Sequence, residues 1–270
     1  MKRLIMLAAL PALLLAGCAA QPAASGTETL TVTGSYPLQY AQQFTIDECE
    51  GGYYLITIDG TRYLVVPEGE NAPAELDADI TVLQQPIENI YLVSSSAMDP
   101  IISIDGLDTV ALSGTQADNW YLDAAKTAME NGQIAYAGKY SAPDYETILA
   151  ANCGLAIENT MIYHTPEVKE QLEKFGVPVL VERSSYESGP LARMEWVKLY
   201  GVLLGKTEEA EQVFDDAVQR IAPLENESAT GKTVAFFSIT SNNLATVRKG
   251  GDYVAKMIEM AGGDYVFSDL

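Results

Sequence analysis

Short apolar runs alternate with longer segments that can form helices through the middle of this 270-residue chain. The runs lie at residues 90–93, 109–112, 134–137, 155–157 and 177–181. A helix is expected at 165–175, because Pro166 stands in a first-turn position and Gly176 follows the end of the segment. Since strands that alternate with helices build parallel, doubly wound sheets, residues 90–189 are predicted to form an α/β lobe.

The alternation of strands and helices stops at residue 190, and the pattern of residues 190–225 predicts a helical crossover. An apolar helix is expected at 191–204, ended by Gly205, and Thr207 should cap the helix that follows. The apolar residues of this second helix recur at helical spacing, which predicts one buried stripe along its length. The stripe consists of Ala210, Val213, Phe214, Ala217, Val218 and Ile221.

A second α/β unit is expected in residues 226–270. A strand is predicted at 234–239, and Asp252 should cap the next helix. A doubly wound lobe needs several βα units of about 30 residues each. The second lobe is therefore expected to be incomplete, because either the sequence is truncated or the lobe is vestigial. The predicted fold class is α/β, with two doubly wound lobes joined by a long helix.

Residues 30–89 predict a smaller element in front of the first lobe. Two β-rich runs, at 53–58 and 63–66, flank Asp59-Gly60, which is a strong hairpin turn signal. The acidic stretch at 67–79 has no periodicity and is expected to be a surface loop. This segment is therefore interpreted as an N-terminal β-hairpin element.

The first residues have the layout of a secretory signal, with Lys2 and Arg3 before an apolar run. The run ends in Leu15-Ala16-Gly17-Cys18, which resembles a bacterial lipobox, in which the cysteine receives the lipid. An ordinary signal peptide with a chance cysteine is the alternative. Residues 1–17 are accordingly predicted to be removed, Cys18 to be lipidated, and residues 18–29 to form a flexible tether, which places the protein outside the cytoplasm on a bacterial membrane.

Charge and composition exclude several classes of function. Sixteen Lys and Arg against 37 Asp and Glu give a net charge of −21, which disfavours nucleic-acid partners. Three cysteines and one histidine are too few for a usual Cys/His zinc site or a disulfide scaffold. A pairing of Cys49 with Cys153 stays open.

The order of these units resembles the substrate-binding lipoproteins of ABC importers, in the class with a rigid helix between the lobes that serves iron-siderophore, haem and cobalamin uptake. Several strings carry the resemblance: residues 90–98 (IYLVSSSAM), 145–150 (YETILA), 175–179 (FGVPV), 189–196 (GPLARMEW), 250–253 (GGDY) and 262–265 (GGDY).

The resemblance implies a receptor without enzymatic activity and without a cofactor. It would capture a small metal chelate, a ferric siderophore, and deliver it to an ABC permease and its ATPase. Cobalamin or haem is the alternative ligand within this class. From other classes, an extracytoplasmic lipoprotein hydrolase or a purely structural lipoprotein remains as an alternative.

In such receptors the ligand lies between the lobes, at the carboxyl ends of parallel strands. The ligand-binding candidates at those positions are Ser94, Ser95, Ser96, Met98, Trp120, Tyr163, His164, Arg183, Tyr186, Asn242 and Arg248. None is expected to bind a metal directly. Helix capping is the alternative for the serines, packing for Trp120, and a structural role for His164. The resemblance also implies that Glu146 docks on the permease, the alternative being a solvated helix-face glutamate.

Overall fold

A computed structural model describes residues 30–226 and 229–270 of the chain. The predicted signal peptide, the tether and Cys18 therefore lie outside the described residues. Within those two ranges, no helix has both the length and the apolar character needed to cross a membrane.

The N-terminal segment forms a five-stranded sheet. Its strands are β1 (Val32–Ser35), β2 (Phe44–Cys49), β3 (Tyr54–Ile58), β4 (Thr61–Val66) and β5 (Ile80–Gln84), in the order β1-β2-β3-β4-β5. The predicted hairpin is confirmed as β3 and β4. Asp59 and Gly60 form its turn with positive φ angles of 49° and 80°, as tight two-residue hairpin turns require. The hairpin is thus the centre of a larger sheet.

The first lobe contains a five-stranded, fully parallel sheet, as predicted. Its strands are β6 (Ile90–Leu92), β7 (Val110–Ser113), β8 (Ala135–Tyr136), β11 (Ala156–Asn159) and β12 (Val179–Glu182), and a short hairpin of β9 (Gly138–Lys139) and β10 (Ala142–Pro143) follows β8. The strand order is β12-β11-β6-β7-β8. Strands buried on both faces are nearly continuous apolar runs, which is why the sequence located them within two residues.

Helices cover both faces of this sheet. They are α1 (Met98–Ser103), α2 (Asp123–Glu130), α3 (Tyr145–Ala150) and α4 (Pro166–Lys174). Ile101 of α1 and Ala125 of α2 pack in one core cluster, together with residues of the N-terminal sheet. Ile148 of α3 and Leu172 of α4 pack in the other cluster. The first lobe is therefore doubly wound, and the N-terminal sheet shares its larger core.

The crossover contains three helices, α5 (Pro190–Met194), α6 (Trp196–Leu204) and α7 (Thr207–Ile221). The single helix expected at 191–204 is wrong, because α5 and α6 meet at Glu195, whose carboxylate binds backbone N–H groups outside the helices. Gly205 ends α6 with a φ of 67°, as predicted. Thr207 does not cap α7; it is the first helical residue, and no side chain caps this end.

Only part of the predicted stripe on α7 is buried. Ala210 and Phe214 have no exposed surface and lie in the larger core. Val213 and Val218 pack against that core only partly, and Ile221 lines an open groove. The amino-terminal half of α7 is therefore anchored in the first lobe.

The second lobe begins after α7. Its elements are β13 (Thr233–Val234), β14 (Phe237–Ile239), β15 (Ala245–Val247), α8 (Tyr253–Met260) and β16 (Asp264–Tyr265). The strand expected at 234–239 is wrong: β13 pairs in parallel with β16, whereas β14 forms a hairpin with β15. Asp252 caps α8 as predicted, since its Oδ1 accepts a 2.9 Å hydrogen bond from the Val254 N–H. The guanidinium of Arg193 on α5 lies 3.9 Å from the ring centre of Tyr253 on α8, and this contact joins the crossover to the second lobe.

Candidate ligand-binding edge of the first lobe

The strand order places a crevice at one edge of the parallel sheet. Strands are added in one direction through β6, β7 and β8 and then in the other direction through β11 and β12. The loops after β6 and β11 therefore leave in opposite directions, and ligands of open α/β sheets bind where this happens. We call the loops that follow these five strands the carboxyl edge. Residues 93–97 and 160–165 form its centre.

A buried carboxylate organises the loop after β6. Glu182, at the end of β12, is only 2% exposed, and its Oε2 accepts hydrogen bonds from the hydroxyls of Ser94 and Ser96 at 2.9 and 2.7 Å. Its Oε1 accepts a 2.7 Å bond from the Ser184 N–H. Neither hydroxyl caps a helix, so the capping alternative is wrong for this pair. These bonds fix the loop and leave Ser95 exposed between the two tethered serines.

Arg183 connects the other end of the carboxyl edge to the N-terminal sheet. Its Nη1 donates a 2.8 Å hydrogen bond to Oδ2 of Asp59, in the β3–β4 turn. Its guanidinium also lies 4.5 Å from the ring centre of Tyr186. The Tyr186 hydroxyl in turn lies 3.3 Å from the Thr160 hydroxyl in the loop after β11. These contacts form a continuous polar chain from the turn to the switch point.

Exposed side chains of moderate polarity line the same edge. Tyr163 and Met161, both in the loop after β11, are 48% and 44% exposed, and Tyr186 is 53% exposed. His164 is also exposed. Aromatic and thioether groups in this position can stack on the rim of a bulky ligand. The structure thus brings together Ser95, the aromatic residues and His164 on one edge.

Two predicted ligand contacts are wrong. Met98, the first residue of α1, has no exposed surface and packs in the larger core. Trp120 is 7% exposed, lies in the same core, and donates a 3.2 Å hydrogen bond from Nε1 to the Ser113 hydroxyl. The packing alternative for Trp120 is therefore correct. Both residues follow strand ends in the sequence, but the chain folds back over the sheet before reaching them.

The remaining candidates are spread over the surface. Asn242 lies exposed in the turn between β14 and β15. The Arg248 guanidinium lies 3.4 Å from the Asp252 carboxylate, and no hydrogen bond among the described residues links it to the carboxyl edge. Glu146 is exposed on the first turn of α3. The structure therefore leaves the two second-lobe residues as candidates without bringing them to the first-lobe serines.

Glu158 is a second buried carboxyl at this edge, on the opposite face of the sheet from Glu182. It has no exposed surface, and neither carboxyl oxygen has a hydrogen-bond partner among the described residues. Burial raises its pKa to about 8. Burial is the largest cause that raises the pKa of the Tyr91 and Tyr145 hydroxyls. The nearby Glu158 carboxyl raises both pKa values further. The shift favours the neutral form of Glu158 at pH values where an exposed glutamate is ionised.

Two further carboxylates hold the loop at 39–43 against the crossover. Glu195 accepts backbone N–H bonds from Gln39, Tyr40 and Ala41 at 2.7–2.8 Å. Glu187 accepts them from the two following residues at 2.9–3.1 Å. Five successive N–H groups are thereby satisfied, which fixes the N-terminal sheet relative to the carboxyl edge.

A cavity of about 730 Å³ lies between the lobes, beside the carboxyl edge. It is lined by Tyr40, Gln42, residues 188–192, Ile221, Leu224, Ala229, Lys256, Glu259, Met260 and Gly262. None of the candidate residues lines it. Its two charged side chains, Lys256 and Glu259, already pair with each other at 2.9 Å. The carboxyl edge instead exposes Ser95, His164 and the rings of Tyr163 and Tyr186.

Cys49 and Cys153 are both free thiols in the structure. Across the described ranges, no three His, Cys, Asp or Glu residues cluster closely enough to hold a metal ion.

Several residues of this edge escaped sequence analysis. Glu182 and Glu158 stand at the ends of apolar strands, and a single acid in such a buried run was the available signal. Thr160 carried no such signal. Asp59 was noted only as a turn residue, and its contact with Arg183 spans 124 positions of sequence.

Comparison with known proteins gives no matching family model. The chain is 24% identical over 230 residues to an uncharacterized lipoprotein of Methanocaldococcus jannaschii. The match includes 80% of this chain and 55% of the relative, so this chain spans about half the length of the curated protein that it matches.

Solved structures show the fold. The periplasmic haem-binding protein HutB of Vibrio cholerae superposes with a TM-score of 0.55 at 16% identity, over 67% of this chain and 66% of that one. A periplasmic binding protein of Veillonella parvula gives 0.57 at 15% identity, over 81% and 68% of the two chains. A possible iron-binding, periplasmic solute-binding protein of Staphylococcus epidermidis gives 0.52 at 15%, over 67% of each chain. The fold of this chain is similar to the fold of these three proteins. The predicted α/β fold class is thereby confirmed.

Proposed function

We propose that this protein is an extracytoplasmic solute-binding lipoprotein that captures an iron complex, a ferric siderophore, and delivers it to the permease and ATPase of an ABC importer. The observation that carries the proposal is the carboxyl edge itself. A switch point of a parallel sheet, a loop tethered by Glu182, and exposed aromatic side chains occur there together.

The location proposed for the protein follows from its first residues and from its relative. The signal-like N-terminus ends in a lipobox with Cys18, and the curated relative is a lipoprotein. Lipidation of Cys18 would keep the receptor at the membrane, next to its permease. Exposed Glu146 on α3 is the proposed docking residue of the first lobe.

Binding is favoured over catalysis by the surroundings of the only histidine. His164 makes no hydrogen bond to a serine or a carboxylate among the described residues, so no nucleophile is paired with a base there. A hydrolase of the serine–histidine type would need such a pair. The proposal is therefore a receptor and not a hydrolase of this type.

Haem is a second candidate ligand, and one observation favours it. His164 is exposed in the loop after β11, where its imidazole could coordinate a haem iron. HutB, one of the similar structures, is a haem-binding protein. Replacement of His164 by alanine separates the candidates, because only haem would lose an axial ligand and change its visible absorption spectrum.

Calorimetric titration of the purified full chain tests the proposal. The probes are ferrichrome, which is a neutral ferric trihydroxamate, haemin and cyanocobalamin. We expect ferrichrome to bind with a Kd at or below about 1 μM. Tyr186→Leu should weaken that binding about tenfold, because it removes a ring at the edge. The matched control is Phe175→Leu, which changes a similarly exposed ring at the opposite edge of the sheet and should leave the Kd unchanged.

No heat of binding with any of the three probes would overturn the proposed function. Equal losses in the two variants would place the ligand elsewhere on the molecule.

A further inference from the structure

We infer that the carboxyl edge selects neutral or cationic iron complexes over anionic ones, and that Asp59 of the N-terminal sheet is the residue that sets this preference. The inference rests on the proposed function, since it names the charge class of the ligand for the same site. It assigns a role in specificity to a part of the chain that lies outside the parallel sheet.

Arg183 is the one arginine in the loops that follow the five parallel strands, and its charge is already matched. Its Nη1 lies 2.8 Å from the Asp59 carboxylate, and its Nε and Nη2 each lie 3.5 Å from the side-chain oxygen of Gln43. The ring of Tyr186 covers one face of the guanidinium. The side chain is only 16% exposed. An anionic ligand would therefore have to displace Asp59 to reach this cation.

The backbone holds Asp59 in place. Asp59 and Gly60 occupy the tight turn between β3 and β4, whose pairing is continuous up to Ile58 and Thr61. The neighbouring Tyr63 hydroxyl, which is buried, donates a 3.0 Å hydrogen bond to the Val179 carbonyl of β12. This bond ties β4 directly to β12, the strand that Arg183 follows. The turn is consequently fixed beside the edge, and Asp59 acts as a built-in counter-ion.

Further negative charge adds to this pairing. Asp59 is 53% exposed, so part of its negative charge faces any incoming ligand. The whole chain carries a net charge of −21, which repels anions at longer range. A trianionic complex thus meets both a competitor for Arg183 and an opposing field. Neutral and cationic complexes neither compete with Asp59 for Arg183 nor are repelled by the negative charge of the chain. The discrimination therefore comes from repulsion of the anionic complexes.

The test compares three ferric complexes on the full chain by calorimetric titration. Ferrioxamine B is cationic, ferrichrome is neutral, and ferric enterobactin is a trianion. The unmodified protein should bind one of the first two at least about tenfold more tightly than the trianion. Asp59→Asn should improve the trianion's affinity about tenfold relative to ferrichrome, because it frees Arg183 while keeping a residue that tolerates the turn.

Asp105→Asn is the matched control. Asp105 is an exposed aspartate with a positive φ of 53°, close to the 49° of Asp59, and it forms no ion pair within the described ranges. The Asp105→Asn substitution removes the same charge without touching Arg183. It should therefore leave the ratio of the trianion and ferrichrome affinities unchanged. In the Arg183→Gln background, Asp59→Asn should improve binding of the trianion much less, because it then removes only the repulsion by Asp59 and frees no cation.

The outcomes distinguish a failure of the charge preference from a failure of the proposed function. Tightest binding of the trianion by the unmodified protein, or an equal gain from both aspartate variants, would overturn the inference and leave the proposed function standing. Failure of all three complexes to bind would overturn the proposed function and the inference with it.

Discussion

Glu182 is the last residue of β12, Glu158 is the next-to-last residue of the adjacent strand β11, and the two carboxyl groups have opposite surroundings. Glu182 has two serine hydroxyls and a backbone N–H as donors, so its charge is stabilised although it is buried. Glu158 has no partner at all within the described residues, and burial alone raises its pKa. One carboxylate therefore supports the candidate site, while the other costs stability.

The surroundings of Glu158 lead us to expect that stability falls as pH rises. The pKa of Glu158 is about 8 in the folded protein, against 4.5 for an unperturbed group. Between these values the unfolded chain releases the proton and the folded protein keeps it, so unfolding becomes more favourable with increasing pH. The loss should be on the order of a few kcal/mol between pH 5 and pH 8. Urea denaturation at both pH values measures it.

Glu158→Gln should remove most of this slope, because glutamine does not titrate. Glu130→Gln, at an exposed position at the end of α2, is the control and should retain the slope. A slope that persists in Glu158→Gln would show that other groups cause it.

Residues that directly follow apolar strands could be placed from sequence alone. Ser95, Tyr186 and Arg183 are examples, because the carboxyl ends of parallel strands share one edge. Met98 could not be placed correctly, since its burial depends on the path of the chain after the strand. The pair of Asp59 with Arg183 joins two separate sheets, and local sequence carries no information about such contacts.

At the scale of single elements, the loop at 39–43 is held in place by the buried carboxylate of Glu195. Burial raises the pKa of Glu195, but the hydrogen bonds from Ala41, Gln39 and Tyr40 outweigh burial and bring it below its ordinary value. Lys198, which is also buried, donates to the same carboxylate at 3.0 Å. The attachment therefore stabilises the fold above the ordinary pKa of a glutamate and weakens as pH falls below it.

Glu195→Gln should destabilise the protein by about 2–4 kcal/mol, because the buried Lys198 loses its counter-ion and one N–H group loses its acceptor. Guanidinium denaturation measures the loss, and faster amide exchange at 39–41 should accompany it. Glu209→Gln, on the exposed face of α7, is the control and should change stability by less than about 0.5 kcal/mol. Equal effects of the two substitutions would contradict the assigned role of Glu195.

Elements whose bounds are set by neighbouring residues could be predicted from the sequence. Elements whose bounds depend on contacts with distant residues could not. The five parallel strands and α4 followed from apolar runs and from helix-start residues. The junction of α5 and α6 did not, because Glu195 acts on a loop 154 or more positions away. The split between β13 and β14 likewise depends on partners, since one pairs with β16 and the other with β15.

At the scale of the whole molecule, α7 belongs to the first lobe for half of its length. Ala210 and Phe214 lie in the larger core, whereas Ile221 lines an open groove near α8. The amino-terminal half of α7 should therefore be as stable as the core of the first lobe, and its last turn should be less stable.

Phe214→Ala should accordingly cost about 3–5 kcal/mol of unfolding free energy, because it opens a cavity in a packed core. Ile221→Ala should cost less than about 1.5 kcal/mol, because its side chain is only partly covered. Denaturant unfolding of both variants, each against the unmodified chain, gives the comparison. Similar losses at the two positions would show that α7 is embedded evenly, and would contradict its assignment to the first lobe.

The proposed function requires that the loops after β6, β11 and β12 bind an iron complex. Hydrogen–deuterium exchange of the full chain, with and without saturating ferrichrome, measures whether they do. We expect slower exchange at 94–97, 160–165 and 183–187, together with little change in α4 and in the β1–β2 pair. Protection confined to the residues that line the interlobe cavity, or no protection anywhere, would contradict this requirement.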